Sequence, residues 1–263
     1  QLNDLWKYNI ASNKWTWVSG SDRIYQNVFQ NNVYGTKGTP SINNIPSARY
    51  SSVSWVDANG NLMLFGGYGT DKNGSWGSLN DLWRFNSTSS EWTWVSGSDI
   101  VNQVGIYGTK GTASANNIPG ARRESVTWKD NAGTLWLFGG VGTDKAGVSG
   151  YLNDLWKYNS ATNQWTWVGG GDLVNRIGTI GTKQTPSANN IPSSRSRSNS
   201  WVDASGNLWV FGGYGLDVNG SYGYLNNLWK YNISTNQWTW SNGSEYVNQA
   251  GNYGGRRWHL VSR

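Results

Sequence analysis

Three arginines stand 73 residues apart, at Arg49, Arg122 and Arg195, and each is followed by a pair that differs from its counterparts: Tyr50-Ser51, Arg123-Glu124 and Ser196-Arg197. A guanidinium group presents a planar fork of donors that grips a carboxylate or sulfate at two points, so a ring of such arginines suits an acidic ligand. A second set of variable positions is aromatic. Trp76 is equivalent to Ser149 and Tyr222, and Ser78 to Tyr151 and Tyr224. Rings held out on a binding face stack on sugars or on a peptide. Glu124 and Glu91 are the two acids that do not recur along the chain.

Other chemistries find little support. The chain has no Cys and one His, His259 in the tail, so neither a thiolate metal site nor a Ser–His–Asp arrangement is expected. The remaining 13 of 15 acids fall into four repeating sets, including Asp4, Asp81 and Asp154; Asp57, Asp130 and Asp203; and Asp71, Asp144 and Asp217. Acids repeated at turns are expected to hydrogen-bond the turn backbone, whereas a hydrolase needs two carboxylates tuned to different tasks. GGYGTD, GGVGTD and GGYGLD match the start of a calcium-binding nonapeptide but recur every 73 residues, too far apart to share an ion in that manner. No cofactor is expected, with calcium held by a single loop as the alternative.

The formal charge of +6 comes from 21 basic against 15 acidic residues spread without a run, so no nucleic-acid partner is expected. No apolar stretch approaches the roughly 18–20 residues of a membrane span, and no insertion is expected. No leader peptide is visible, and the chain opens inside a repeat. The expected location is extracellular or on a cell surface.

The elements that position these residues are repeats. NDLWKYN or a close variant begins at Asn3, Asn80, Asn153 and Asn226, at intervals of 77, 73 and 73. Seventeen of the 19 Trp occupy repeat-equivalent sites and are expected to pack unit against unit. Each unit reads as four short strands, exemplified by residues 48–55, 62–67, 81–86 and 92–95, bounded by Gly, Asn, Asp and Ser. Turns 1–2 and 3–4 are short. Connections 2–3 (67–80) and 4–1 (97–120) are long and would decorate one face, the usual place for binding.

A Gly-Gly pair closes strand two (Gly66-Gly67, Gly139-Gly140, Gly212-Gly213), strand three is aromatic, and strand four carries a Trp (Trp15, Trp92, Trp165, Trp238). Together these resemble the kelch-repeat β-propeller family, in a galactose-oxidase-like form without its copper centre. The resemblance covers nearly the whole chain, although its period exceeds the usual kelch length of about 50. It implies an all-β, kelch-like propeller of four-stranded antiparallel blades: three complete (48–95, 121–168, 194–241) and a partial fourth (2–18). The tail, 255–263, is a candidate closing strand. It further implies that strand one lies innermost, with Arg49, Arg122 and Arg195, and Arg256 as a fourth, near the mouth of a central channel.

The expected function is that of a non-catalytic module binding a glycan or protein through the long-loop face and the Arg-lined channel. Its candidate residues are Arg49, Tyr50, Arg122, Arg123, Glu124, Arg195, Arg197, Trp76, Tyr151, Tyr222 and Tyr224. Alternatives are a carbohydrate-active enzyme of mutarotase or lyase type using Glu124 and channel arginines, and a structural repeat of a large surface adhesin. Self-association to complete the ring is a further expectation.

Overall fold

Tight polar turns cut the chain into short strands. The computed structural model describes residues 2–21 and 32–252, and among these it contains strands, turns and bends but no helix. A half unit comes first, the antiparallel hairpin of β1 (Leu5–Asn9) and β2 (Lys14–Ser19). In the first complete unit β3 (Arg49–Tyr50) and β4 (Val53–Val56) both pair with β5 (Leu62–Thr70), which pairs with β6 (Trp76–Asn86) and that with β7 (Glu91–Ser96).

The second unit repeats this order. A short clip, β8 (Ala113–Ser114), precedes β9 (Arg122–Arg123) and β10 (Val126–Lys129), both on β11 (Leu135–Thr143), followed by β12 (Ser149–Asn159) and β13 (Gln164–Gly169). In the third unit the long hairpin divides at its glycine pair. β14 (Arg195–Ser196), β15 (Asn199–Val202), β16 (Leu208–Phe211), β17 (Tyr214–Leu216), β18 (Tyr222–Tyr224), β19 (Leu228–Asn232) and β20 (Gln237–Asn242) form two sheets with the same connectivity.

Carboxylates set the turns as the sequence predicts. Asp57 Oδ1 accepts the N–H groups of Asn59 and Asn61, and Asp130 and Asp203 do the same in their units. The glycine pair has a packing reason as well as a conformational one. Gly66 sits at φ 63°, and a Cβ there would lie 2.7 Å from the carbonyl oxygen of Arg122 in the next unit. Gly139 meets Arg195 in the same way. Only glycine allows both the left-handed backbone and the close approach between units.

The core lies between units. Phe65 of the first packs on Trp165 of the second at 5.3 Å between ring centroids, and Phe138 of the second on Trp238 of the third at 5.5 Å. Each such buried ring contributes roughly 1.5–3 kcal/mol. The expected Trp packing therefore holds wherever a neighbour is present. At the open ends it does not: Trp15 is 65% exposed where Trp165 is 1%, and Phe211 is 40% exposed where Phe65 and Phe138 are 1%.

Three expectations need correction. Strand one is two pieces, because Ser51, Glu124 and Arg197 sit between them at φ 52°, 60° and 57°. Connection 2–3 is not a long loop. Strands β5 and β6 run on to Thr70 and from Trp76, leaving a tight turn in which Asp71 Oδ1 accepts from Asn73 and Ser75. Connection 4–1 does not simply decorate a face either. It reaches outward and adds to the outermost strand of the next unit, as β8 does on β13 and as Ser41 and Ser187 do on Trp92 and Trp238. Covering an otherwise bare strand edge is the physical gain. Asn117 reinforces the clip by donating to Trp165 O, and Lys110 lies over the Trp167 ring. The proposed closing strand, Arg256, Trp258 and His259 lie outside the described residues.

Candidate functional site

The repeated arginines do not line an open channel. Arg122 and Arg195 are each 1% exposed. Arg49 and Arg122 face buried carboxylates in a two-point ion pair: Arg49 to Asp81 at 2.6 and 2.7 Å, and Arg122 to Asp154 at 2.7 Å twice. The same side chains donate to Ser47 O and Gly66 O, and to Gly120 O and Gly139 O, tying strand one to the glycine pair. Burial alone would lower the pKa of each guanidinium, but the facing carboxylate outweighs it and holds Arg49 and Arg122 above the ordinary arginine range. Asp81 and Asp154 are thus not turn residues. Each accepts from a Tyr hydroxyl and a Trp indole as well, through Tyr34 and Trp83 or Tyr107 and Trp156. Arg49, Arg122 and Arg195 therefore turn into the scaffold, and none of them faces the long-loop surface as a ligand contact there.

The next residues along the chain turn the other way. The left-handed residues Ser51, Glu124 and Arg197 form a backbone ladder from unit to unit, Arg197 N–H donating to Glu124 O and Glu124 N–H to Ser51 O. A left-handed Glu or Arg is uncommon, and strain of this kind, about 1–3 kcal/mol each, gathers at functional sites. Here it turns side chains toward the rim. Arg123 crosses to the first unit, donating to Ser78 Oγ at 3.1 Å and standing 5.0 Å from the Tyr68 ring centre. Tyr68 in turn lies against Tyr50 and stacks on Trp76. Tyr50, Tyr68, Trp76 and Arg123 therefore make one group.

A second group occupies the junction of the second and third units. Glu124 accepts from Arg197 at 2.7 Å and from Ser196 Oγ at 3.1 Å. Burial raises the Glu124 pKa, but those two hydrogen bonds and the charges of Arg197 and Arg123 prevail and hold it below the usual glutamate value. Beside the pair, Tyr151 packs on Tyr214 and Tyr222, and Tyr214 on Tyr224, which is 71% exposed. Burial first, then Tyr214 and Glu124, push the Tyr151 pKa upward.

Eight of the eleven residues singled out from sequence thus belong to these two groups. Tyr68 and Tyr214 were missed. They lie within the glycine-rich segments read as turns, and the signal was the Tyr, Val, Tyr variation at 68, 141 and 214. The calcium alternative meets occupied oxygens: the Asp71 carboxylate accepts from the backbone of Asn73, Ser75 and Val101. Among the described residues no group of three His, Cys, Asp or Glu is placed to hold a metal.

A cavity of about 540 Å³ lies elsewhere, between the half unit and the first unit, lined by Leu2, Leu5, Trp55, Met63 and Trp92 among others. Its walls are mostly apolar and include the position on Trp92 that, at the other junctions, holds a strand-two Phe. It is a gap in unit-to-unit packing and carries none of the divergent polar residues.

The family model described as the KLHDC2/KLHL20/DRC7 Kelch-repeats domain matches residues 21–239. Over 47 residues, 18% of this chain, the sequence is 43% identical to an N-acetylneuraminate epimerase of Shigella flexneri and 40% identical to that of Escherichia coli (strain K12). The stretch spans only 13% of either relative's length. The solved structure titled "Structure of YjhT" matches with a TM-score of 0.50 and 15% identity, over 88% of this chain and 56% of that one. At that identity the likeness concerns the fold alone.

Proposed function

We propose, from the premise that this chain belongs to the Kelch-repeat family by its match over residues 21–239, that it is a binding module whose ligand seats on the Tyr/Trp/Arg rim. The observation that carries this reading is the placement of divergence. Between near-identical units, half-exposed rings and charges of the rim differ, beside the left-handed residues Ser51, Glu124 and Arg197, while the packed Trp and Phe rings beneath are repeated. Tyr50, Trp76, Tyr222 and Tyr224 offer flat faces, and Arg123 and Arg197 offer guanidinium groups to an anion. That combination suits a glycan bearing a carboxylate, and the short likeness to N-acetylneuraminate epimerases makes sialic acid the first probe. A polypeptide with acidic and aromatic side chains is the second class, in keeping with the protein-binding role of Kelch domains generally.

Binding is favoured over catalysis by the state of Glu124. Its carboxylate is held ionised by Arg197 and Ser196, below the ordinary glutamate value. A general acid or base works best with a pKa near the operating pH, and Glu124 is shifted the opposite way. Calorimetric titration with sialic acid, neutral sugars and acidic peptides tests the reading. The expected result is saturable binding that Arg123→Ala or Tyr222→Ala removes while the melting temperature stays unchanged. Accelerated interconversion of sugar anomers, abolished in Glu124→Gln with binding intact, would replace it with the enzyme reading.

A further inference from the structure

All three complete units bury the same arginine, but the third lacks the acid that answers it. Where the first two have Asp81 and Asp154 it has Asn227, and where they have Tyr34 and Tyr107 it has Ile180. In the first two units a single carboxylate oxygen, Oδ2, collects three donors: the arginine Nη2, the Trp indole N–H two residues on, and the Tyr hydroxyl. In the third, Arg195 keeps its bonds to Ser193 O and Gly212 O, and its Nη1 donates to Asn227 Oδ1 at 2.6 Å. Arg195 Nη2 and Trp229 Nε1 are left with no partner, although both residues are 1% exposed.

The chemistry of the gap is one-sided. With its oxygen turned to Nη1, Asn227 presents its NH₂ on the branch where the carboxylate had a second acceptor. Turning the amide over would bring its oxygen to both orphans, as Oδ2 does in the other units, but would set its NH₂ against Nη1, which would keep only Gly212 O, and would supply no negative charge. In either orientation an amide NH₂ faces the guanidinium where the other units have only a carboxylate, next to a buried cation with no counter-charge. Both are arrangements that folded proteins avoid. Ile180 in place of tyrosine also withdraws the hydroxyl and the outer part of the ring from this corner. Burial, with no carboxylate to oppose it, pushes the Arg195 pKa down to about 9.

We infer that this corner, formed by Arg195 Nη2, Trp229 Nε1 and the Asn227 amide, is a binding site for a small monovalent anion of halide size, chloride being the abundant one. One negative charge balances one guanidinium, and a single spherical acceptor replaces the oxygen that gathers the same donors in the other units. A sulfate would bring a second charge that nothing in the corner balances. The site is buried and is independent of whether the rim binds a ligand.

The test uses the whole chain dialysed into sodium gluconate, then titrated with sodium chloride or bromide at constant ionic strength. The expected result is a saturable rise in melting temperature with either halide, accompanied by movement of the Trp229 indole N–H resonance, identified by its absence in Trp229→Phe. Asn227→Asp supplies the missing acceptor and charge, so it should melt higher than the wild type in gluconate and lose the halide dependence. An indole resonance that chloride leaves in place, or a halide response retained in full by Asn227→Asp, would overturn the inference. Should Asn227→Asp fail to fold, the wild-type resonance alone decides.

Discussion

Arg122 and Arg123 are neighbours in the chain and have opposite fates. Arg122 is buried, with four of its five N–H groups committed to one carboxylate and two backbone carbonyls. Arg123 crosses the junction to a serine and a tyrosine ring of the preceding unit and remains partly open to solvent. Strand alternation separates them, since successive side chains point to opposite faces, and the left-handed Glu124 that follows turns the chain back toward its neighbour. The lesson is that in these two units the recurring residue belongs to the lock and the varying one to the rim. The repeated arginine, which the sequence placed among the ligand contacts, turns into the scaffold.

The contrast can be broken first at the lock. Asp154→Ala strands a fully buried guanidinium and is expected to cost about 3–5 kcal/mol by denaturant titration. A loss below about 1 kcal/mol would mean that the pair adds nothing beyond its own desolvation. Tyr107→Phe removes one charge-assisted hydrogen bond from the same cluster and is expected to cost about 1.5–3 kcal/mol in the same assay. At the rim the signs reverse. Arg123→Ala should change stability by less than about 0.5 kcal/mol yet weaken ligand binding at least tenfold, about 1.4 kcal/mol. Equal losses of stability from Arg122→Ala and Arg123→Ala would erase the distinction.

The smallest effect is expected at the Glu124–Arg197 pair. Because folding lowers the Glu124 pKa, its contribution is complete above the ordinary glutamate value of about 4.3 and fades as the pH falls through the folded value. Arg197 is largely exposed, so solvent screens the pair and its contribution is small. Wild type should therefore melt slightly above Glu124→Gln at pH 7, and the gap should narrow as the pH falls below the ordinary glutamate value. A gap that persisted in acid would mean that the Gln disturbs the left-handed turn rather than the charge.

Much of this was legible in the residues. The 73-residue period, the four strands per unit, the glycine pair and the Asx turns at Asp57, Asp130 and Asp203 follow from local rules of turn chemistry and strand patterning. Rim positions were also findable, because Tyr50-Ser51, Arg123-Glu124 and Ser196-Arg197 differ between units that otherwise agree closely. Less legible was the role of Asp81 and Asp154. They recur like the turn acids, and nothing nearby in sequence announces partners 32 and 47 residues upstream.

Periodicity alone thus determined that the chain makes repeated antiparallel sheets whose indoles pack between units, since hydrogen-bonded strands and buried rings depend on residues close in sequence or one period away. Which face of strand one each side chain takes was decided only in three dimensions, as was where the long connections run and which donors are left without an acceptor. Those outcomes depend on the left-handed turns at Ser51, Glu124 and Arg197 and on contacts between units, and the one-dimensional pattern encodes neither.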